Sequence, residues 1–404
     1  MSAADLTPAT RTSEDVRVAN TALVLRTLRA DGPSSRAVLA ASTGLTKGTV
    51  GTIVGRLSDL GAVHEDAPGV AQPGPATRGR PSRPVTLEGS PLVGLGIEVN
   101  VDYRAAVALD LAGATQLFTE ERGAVGGDRV DVTEVDAFVR RCRRRLEADG
   151  HRLLGLCLAV PGLVERDRRV VRSAPNLGWH DLDLAAAVTG GVPAGTPVRV
   201  DNDANCAARA EAWVGVASGA EHVLYVTGTV GVGGGVVSDG DVVHGLRGFA
   251  GEIGHMRLGD SDERCGCGRR GCWESQVGLL AMLRRVGMPH EPDVDPLLVA
   301  EQVARRAAVD ADVRAGLALL ADDLARGCAV LANALDPGTI VLGGYFATLA
   351  PWLLPTVRDR LARDVFAGGC AVRTSTLGLR AAATGAAAHV LSDVFDARVP
   401  LPAP

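Results

Sequence analysis

What the sequence lacks narrows its class before any motif is read. No apolar run approaches the roughly 20 residues of a membrane-spanning helix; residues 153–164, among the longest, are broken by Pro161-Gly162. A leader that is basic and then apolar is missing too: residues 1–15 are polar and acidic, so a cytoplasmic chain is expected. Lysine is almost absent. Lys47 stands alone among 42 basic residues, the rest being arginine, a bias that reads as base composition and carries no mechanism. Aromatic residues make up 3% of the chain, yet 46% hydrophobic against 22% charged residues excludes wholesale disorder, a collagen-like chain and a disulfide scaffold. The 404 residues then form a globular protein with room for roughly two or three domains.

Cysteine is present, but not in a disulfide pattern. In a reducing compartment the eight cysteines stay thiols, and three of them crowd into residues 265–272. His255, Cys265, Cys267 and Cys272 read H-x9-C-x-C-x4-C, four ligands with glycines 266, 268 and 271 that let a short loop fold around one tetrahedral ion. Zinc is the expected metal. Four protein ligands leave no position for water, so its role is structural. Cys142, Cys157, Cys206, Cys328 and Cys370 read as small buried residues.

The net charge of −5 is unevenly spread, because residues 17–83 hold nine basic against four acidic side chains. That end suits a polyanion. Val18, Ala22, Leu25 and Leu28 recur at helical spacing until Asp31-Gly32-Pro33; Ser35 caps a second helix, and Thr46 a third. In the third, Val50, Ile53, Val54, Leu57 and Leu60 share one face and Lys47, Thr49, Thr52 and Arg56 the other. Two strands follow, 62–65 and 85–87, joined by a basic loop. The whole reads as a winged helix-turn-helix over residues 16–88 behind a flexible stretch at 1–15. Short polar side chains at the start of the third helix suit the major groove, and Arg78 and Arg80 on a Gly/Pro backbone suit the minor groove. A packing module with a solvated charged face is the plain alternative.

From residue 89 onward strands and helices alternate as in α/β folds. Residues 92–113 and 221–240 echo one another, which fits either two duplicated lobes or one doubly wound sheet. Acidic and amide groups gather at Asp201-Asn202-Asp203-Ala204-Asn205, at Glu252 three residues before His255, and at Glu274 two after Cys272. Such groups suit a polyhydroxyl ligand if the fold assembles them. Gly231, Gly233, Gly234 and Gly235 could turn beneath a phosphate, or simply form a tight turn.

Taken together, Val160-Pro161-Gly162-Leu163-Val164, Ala174-Pro175-Asn176-Leu177-Gly178-Trp179, Asn202-Asp203-Ala204-Asn205, Gly251-Glu252-Ile253-Gly254-His255, the cysteine segment 265–274 and Asp336-Pro337-Gly338 through Gly343-Gly344 resemble the ROK family of repressors and sugar kinases. The N-terminal segment is similar to its repressor branch. The resemblance implies a two-lobed, actin-like (sugar kinase/ribonuclease H-like) ROK domain over residues 89–404, its C-terminal helix packing back on the first lobe. It implies that Asn202, Asp203, Glu252, His255 and Glu274 hold sugar hydroxyls, and that Asp203 would be the general base of a kinase. The family's Asp-x-Gly-Gly-Thr turn is replaced here by Glu98-Val99-Asn100-Val101-Asp102, and its Leu-Gly-Thr-Gly turn by Gly228-Thr229-Val230-Gly231. Poor ATP binding follows. The expected protein is a sugar-responsive repressor, a homodimer or homotetramer with operator DNA and a sugar or sugar phosphate as partners and no enzyme activity. An active sugar kinase with a DNA-binding head is the alternative, and a binder of a partner protein a third.

Overall fold

The computed structural model describes residues 12–65, 83–88, 91–123, 130–167, 169–259, 262–290, 294–366 and 368–402. Among these, no helix is long and apolar enough to cross a membrane. Helix α1 (Ser13–Asp31) begins on a capping box made by Thr12 and Asp15 and stops at Gly32. Strand β1 (Ser34–Ser35) leads into α2 (Arg36–Thr43), where the Ser35 hydroxyl accepts from the Val38 amide at 3.3 Å. Thr46 caps α3 (Lys47–Asp59) by accepting from the Thr49 amide at 3.1 Å. Val50, Ile53, Val54 and Leu57 are buried along one face of α3. Each such burial contributes about 1.5–3 kcal/mol, more than the roughly 1 kcal/mol that each of Gly48, Gly51 and Gly55 costs relative to alanine. Tertiary contact therefore holds a helix of poor intrinsic propensity. Strands β2 (Val63–Glu65) and β3 (Pro84–Leu87) complete the wing in the order β1-β3-β2. Arg78 and Arg80 lie outside the described residues, as do 89–90 at the expected domain boundary.

Sheet I opens with β4 (Leu92–Val99), β5 (Tyr103–Asp110) and β6 (Thr115–Arg122), then passes through α4 (Val132–Ala148) to β7 (Arg152–Val160). A small sheet of β8 (Leu163–Val164), β9 (Val170–Ala174) and β10 (Trp179–Asp183) projects from it, and β11 (Val198–Asn202) returns to close the order β11-β7-β4-β5-β6. Helix α5 (Asp203–Trp213) follows. Sheet II then forms from β12 (Val223–Gly228), β13 (Val232–Ser238) and β14 (Asp241–Val242) and, after α6 (Ala311–Leu335), from β15 (Thr339–Gly344) and β16 (Ala371–Thr374). The chain's last long helix is α7 (Ala381–Phe395).

Both five-stranded sheets run third, second, first, fourth, fifth in chain order. In each, the first three strands pair antiparallel and the last two join parallel. The sequence echo is therefore a structural duplication. Sheet I carries α4 on its outer face, where Phe138 and Val139 meet Leu95 and Ile97; sheet II carries α6, where Leu320 and Leu324 join Leu224 and Ile340.

Between the sheets lie two helices, α7 on sheet I and α5 on sheet II, packed on one another. This layer depends on small residues. A Cβ on Gly96 of β4 would stand 2.1 Å from the Ala383 carbonyl oxygen, and one on Gly385 would stand 1.6 Å from that of Cys206. Backbone thus meets backbone from β4 through α7 to α5, which is why α7 is rich in alanine and buried along its whole length.

Candidate functional site

The N-terminus of α5 points its first residues between the two sheets. Asn202 caps it: Oδ1 accepts from the amides of Ala204 at 2.9 Å and Asn205 at 3.1 Å, while Nδ2 donates to the Gly162 carbonyl at 3.2 Å. The Val160-Pro161-Gly162 motif and the Asn-Asp-Ala-Asn motif are thereby fastened together. Asp201, buried behind them, accepts from the Asn202 amide at 2.8 Å, and its other oxygen meets His244 Nε2 at 2.8 Å. The spacing of residues gave no sign of this His244–Asp201 pair, because it joins β11 to the loop after β14.

Asp203 opens α5, within electrostatic reach of Glu98 of sheet I and of Glu252 in the loop after β14. Lost hydration raises its carboxyl to about 6 against the pull of the Ala204 amide, and Glu252 adds to the rise. Glu252 is also raised, chiefly by burial, and lies 3.8 Å from His255 Nε2. Asn202, Asp203, Glu252 and His255 are thus gathered at one place. Glu274 is close by but engaged: Oε2 accepts from the Val232 amide at 3.0 Å, and Oε1 lies 3.1 Å from Cys265 Sγ. It ties the cysteine loop to the start of β13.

His255 ends a short 3-10 turn, Ile253–His255, and the cysteine loop folds back onto it through a bridge between Arg257 and Cys272. Ligand atoms of His255, Cys265, Cys267 and Cys272 all lie within 4.8 Å of one another. Cys265 Sγ is 3.6 Å from His255 Nδ1, and Cys267 Sγ is 3.7 Å from Cys272 Sγ. A tetrahedral ion with metal–sulfur bonds of about 2.3 Å needs ligand edges of about 3.8 Å, so the cluster fits one metal ion. With Nδ1 turned to the sulfurs, Nε2 is left facing Glu252.

The two hairpin turns that would cradle a nucleotide's phosphates are occupied by their own side chains and backbone. In the β4–β5 turn, Asn100 Oδ1 accepts from the Val101 amide at 2.8 Å, and the Tyr103 hydroxyl donates to buried Glu98. Burial raises the Glu98 carboxyl to about 8. In the β12–β13 turn the Thr229 amide donates to the Gly231 carbonyl at 3.0 Å, Val232 donates to Glu274 as above, and Val230 is 64% exposed. The family resemblance foretold the missing glycines and threonine of the first turn and Val230 in place of a hydroxyl in the second, but not the plug that Tyr103 and Glu98 form.

On the N-terminal module, Lys47 and Thr52 are exposed at the start of α3, and Thr49 is half-buried with its hydroxyl 2.9 Å from that of Thr46. Arg56 is placed differently. It lines a crevice with Val18, Thr21, Val394 and Leu401, where the module meets the end of α7. A helix face read from sequence cannot tell which part of its polar side meets the body.

The ROK family model matches residues 129–393. A putative xylose repressor of Caldicellulosiruptor sp. is 29% identical over 401 residues, covering 94% of this chain and 97% of its own. A glucokinase of Halalkalibacterium halodurans is 34% identical over 275 residues, covering 64% of this chain and 82% of its own. A solved ROK family transcriptional regulator, a homolog of the E. coli MLC protein, superposes with a TM-score of 0.79 at 22% identity, over 95% of this chain and 98% of that one. With this family match covering about two thirds of the chain, from before α4 through the cysteine loop and sheet II to near the end of α7, the chain belongs to the ROK family.

Proposed function

We propose that the protein is a sugar-responsive, DNA-binding transcriptional regulator, a repressor of carbohydrate-metabolism genes. One observation carries the reading: the chain joins an open α3 to a two-lobed body whose hairpin-turn amides at Val101, Thr229 and Val232 already have partners. Likeness to xylose repressors along nearly the whole chain supports it, whereas the glucokinase relative covers 64% of the chain. Lys47, Thr49 and Thr52 enter the major groove of operator DNA, with Arg78 and Arg80 of the wing in the minor groove. Arg56 supports α3 against the body. A homodimer or homotetramer sets the spacing of two such heads.

The effector is a sugar or sugar phosphate. Asp203 and Glu252 accept hydrogen bonds from its hydroxyls, Asn202 orients the rim, and His255 offers Nε2. Glu274 acts mainly by holding the cysteine loop. Zinc, bound by His255, Cys265, Cys267 and Cys272, supplies a fixed tetrahedral centre that sets the His255 ring. The protein is not a kinase: Asp203 could take a hydroxyl proton, but a transferable phosphoryl group has no cradle at the two turns. A ligand changes DNA affinity only as far as it binds two lobe arrangements unequally.

The test is binding of DNA from immediately upstream of the protein's own gene, at a stated salt concentration, with and without D-xylose and D-glucose. A sugar-dependent shift in affinity is expected. ATP-coupled phosphorylation of either sugar would overturn the reading.

A further inference from the structure

Helix α1 docks mainly on the sheet I side, through Val24, Leu25 and Leu28, which share one apolar cluster with Leu92 of β4 and Val394 of α7. One side chain reaches further. The guanidinium carbon of Arg29 sits 3.2 Å above the ring of Trp213 and 5.3 Å from that of Phe395. The two rings meet edge to face, centroids 5.8 Å apart at 60°. Trp213 is the last residue of α5, on sheet II, and Phe395 the last of α7, on sheet I. Arg29 therefore lies on the seam between the lobes. Its Nη1 and the Trp213 Nε1 are buried with no hydrogen-bond partner among the described residues, so stacking alone holds the contact. Burial lowers the Arg29 pKa to about 10, which leaves it charged at neutral pH.

The other end of α5 carries Asn202 and Asp203. Eleven helical residues span about 16 Å at 1.5 Å each, so the helix is a short rigid bar from cleft to seam. Its partner α7 touches it backbone to backbone where Gly385 meets Cys206, and nearer the seam Arg209 of α5 donates to the Ser392 hydroxyl of α7 at 2.8 Å, so the two helices are pinned at that end while small residues leave room for small shifts at the other. One nearby ion pair crosses the seam, Arg398 beyond α7 reaching Asp241 of β14 at 3.5 Å, while Arg209 of α5 meets the same Asp241 at 3.1 Å from the sheet II side and Arg26 of α1 lies 3.8 Å from Asp396 at the end of α7.

We propose that Trp213 and Phe395, with Arg29 seated on them, form the joint through which the DNA-binding module registers the relative position of the two lobes. Trp213 is a positioning residue: it touches neither sugar nor DNA, and it moves when the N-terminus of α5 moves. This inference rests on the regulator reading above.

The test uses the full chain with Trp213→Leu, Trp213→Tyr and Arg29→Met. D-xylose and D-glucose affinities are measured by calorimetry, and affinity for the upstream DNA is measured with and without each sugar. Sugar affinity should stay within about twofold of the parent for all three variants. The parent's sugar-dependent ratio of DNA affinities, about fivefold or more for ordinary coupling, should fall to near one in Trp213→Leu and Arg29→Met and be largely kept in Trp213→Tyr. Arg29→Met keeps the side-chain stem on the module's surface, so it reports even if Trp213→Leu does not fold. A full ratio in Arg29→Met, or in a folded Trp213→Leu, overturns the joint alone. A parent whose DNA binding ignores both sugars removes the regulator reading, and the joint with it.

Discussion

The tips of the two hairpins and the N-terminus of α5 lie on the same gap between the lobes, yet their polar groups are disposed in opposite ways. At the hairpins the amides of Val101, Thr229 and Val232 are consumed by Asn100, Gly231 and Glu274, and Glu98 is sealed by Tyr103. At α5 the amides are capped as well, but burial raises the carboxyls of Asp203 and Glu252, with Glu252 adding to the rise of Asp203 and Glu274 to that of Glu252. Perturbed carboxyls in a cleft are candidates for ligand contact, and the difference singles out the α5 end of the cleft for the proposed effector.

The largest effect that would sharpen this contrast is expected from Cys267→Ser. Losing one of four ligands should abolish metal content measured by elemental analysis and weaken sugar binding by about tenfold or more, since His255 would lose its fixed ring. Full sugar affinity in a metal-free variant would separate the metal from the cleft. Next comes Asp203→Asn, which removes a charged acceptor worth about 1.5–3 kcal/mol, or roughly ten- to hundredfold in affinity. For the parent, sugar affinity should rise as pH climbs through about 6, where Asp203 ionises and becomes a full acceptor; the asparagine variant should lack that step. A flat profile in the parent would deny Asp203 its part.

The smallest effect belongs to the sealed hairpin. The Glu98 carboxyl is raised by burial to about 8 in the folded chain, above its value in an unfolded one. The sign follows directly: the folded state holds this proton more tightly, so the stability it contributes is complete at acid pH and drains away as pH rises toward about 8. Glu98→Gln should flatten that loss, seen as a melting temperature a few degrees above the parent's at pH 8.5 and little different at pH 5. If the two melting curves keep a constant offset across that range, the carboxyl is not sealed.

How much of this could be read beforehand follows from how local each feature is. Ser35 and Thr46 were legible as caps because a cap needs only its own helix's first turn. The four metal ligands were legible because their spacing is the geometry. The echo between residues 92–113 and 221–240 fitted two architectures by itself; the family resemblance implied two lobes, and strand pairing, a contact between distant segments, gave both sheets one order. His244 on Asp201, Tyr103 on Glu98 and Arg29 on Trp213 were invisible for the same reason: each is made by the tertiary fold. Arg56 and Glu274 were found, but their contacts within the fold, with the end of α7 and with the Val232 amide, were not, since a sequence shows which residues are polar and not what they face.

Asn202 does two jobs with one side chain. It borders the gap between the lobes and also starts α5, and removing such a cap costs about 1 kcal/mol. On the proposed reading, a change at Asn202 that loses the cap would loosen the first turn of α5 while it altered the effector contact, a coupling that rim positions outside a helix cap escape.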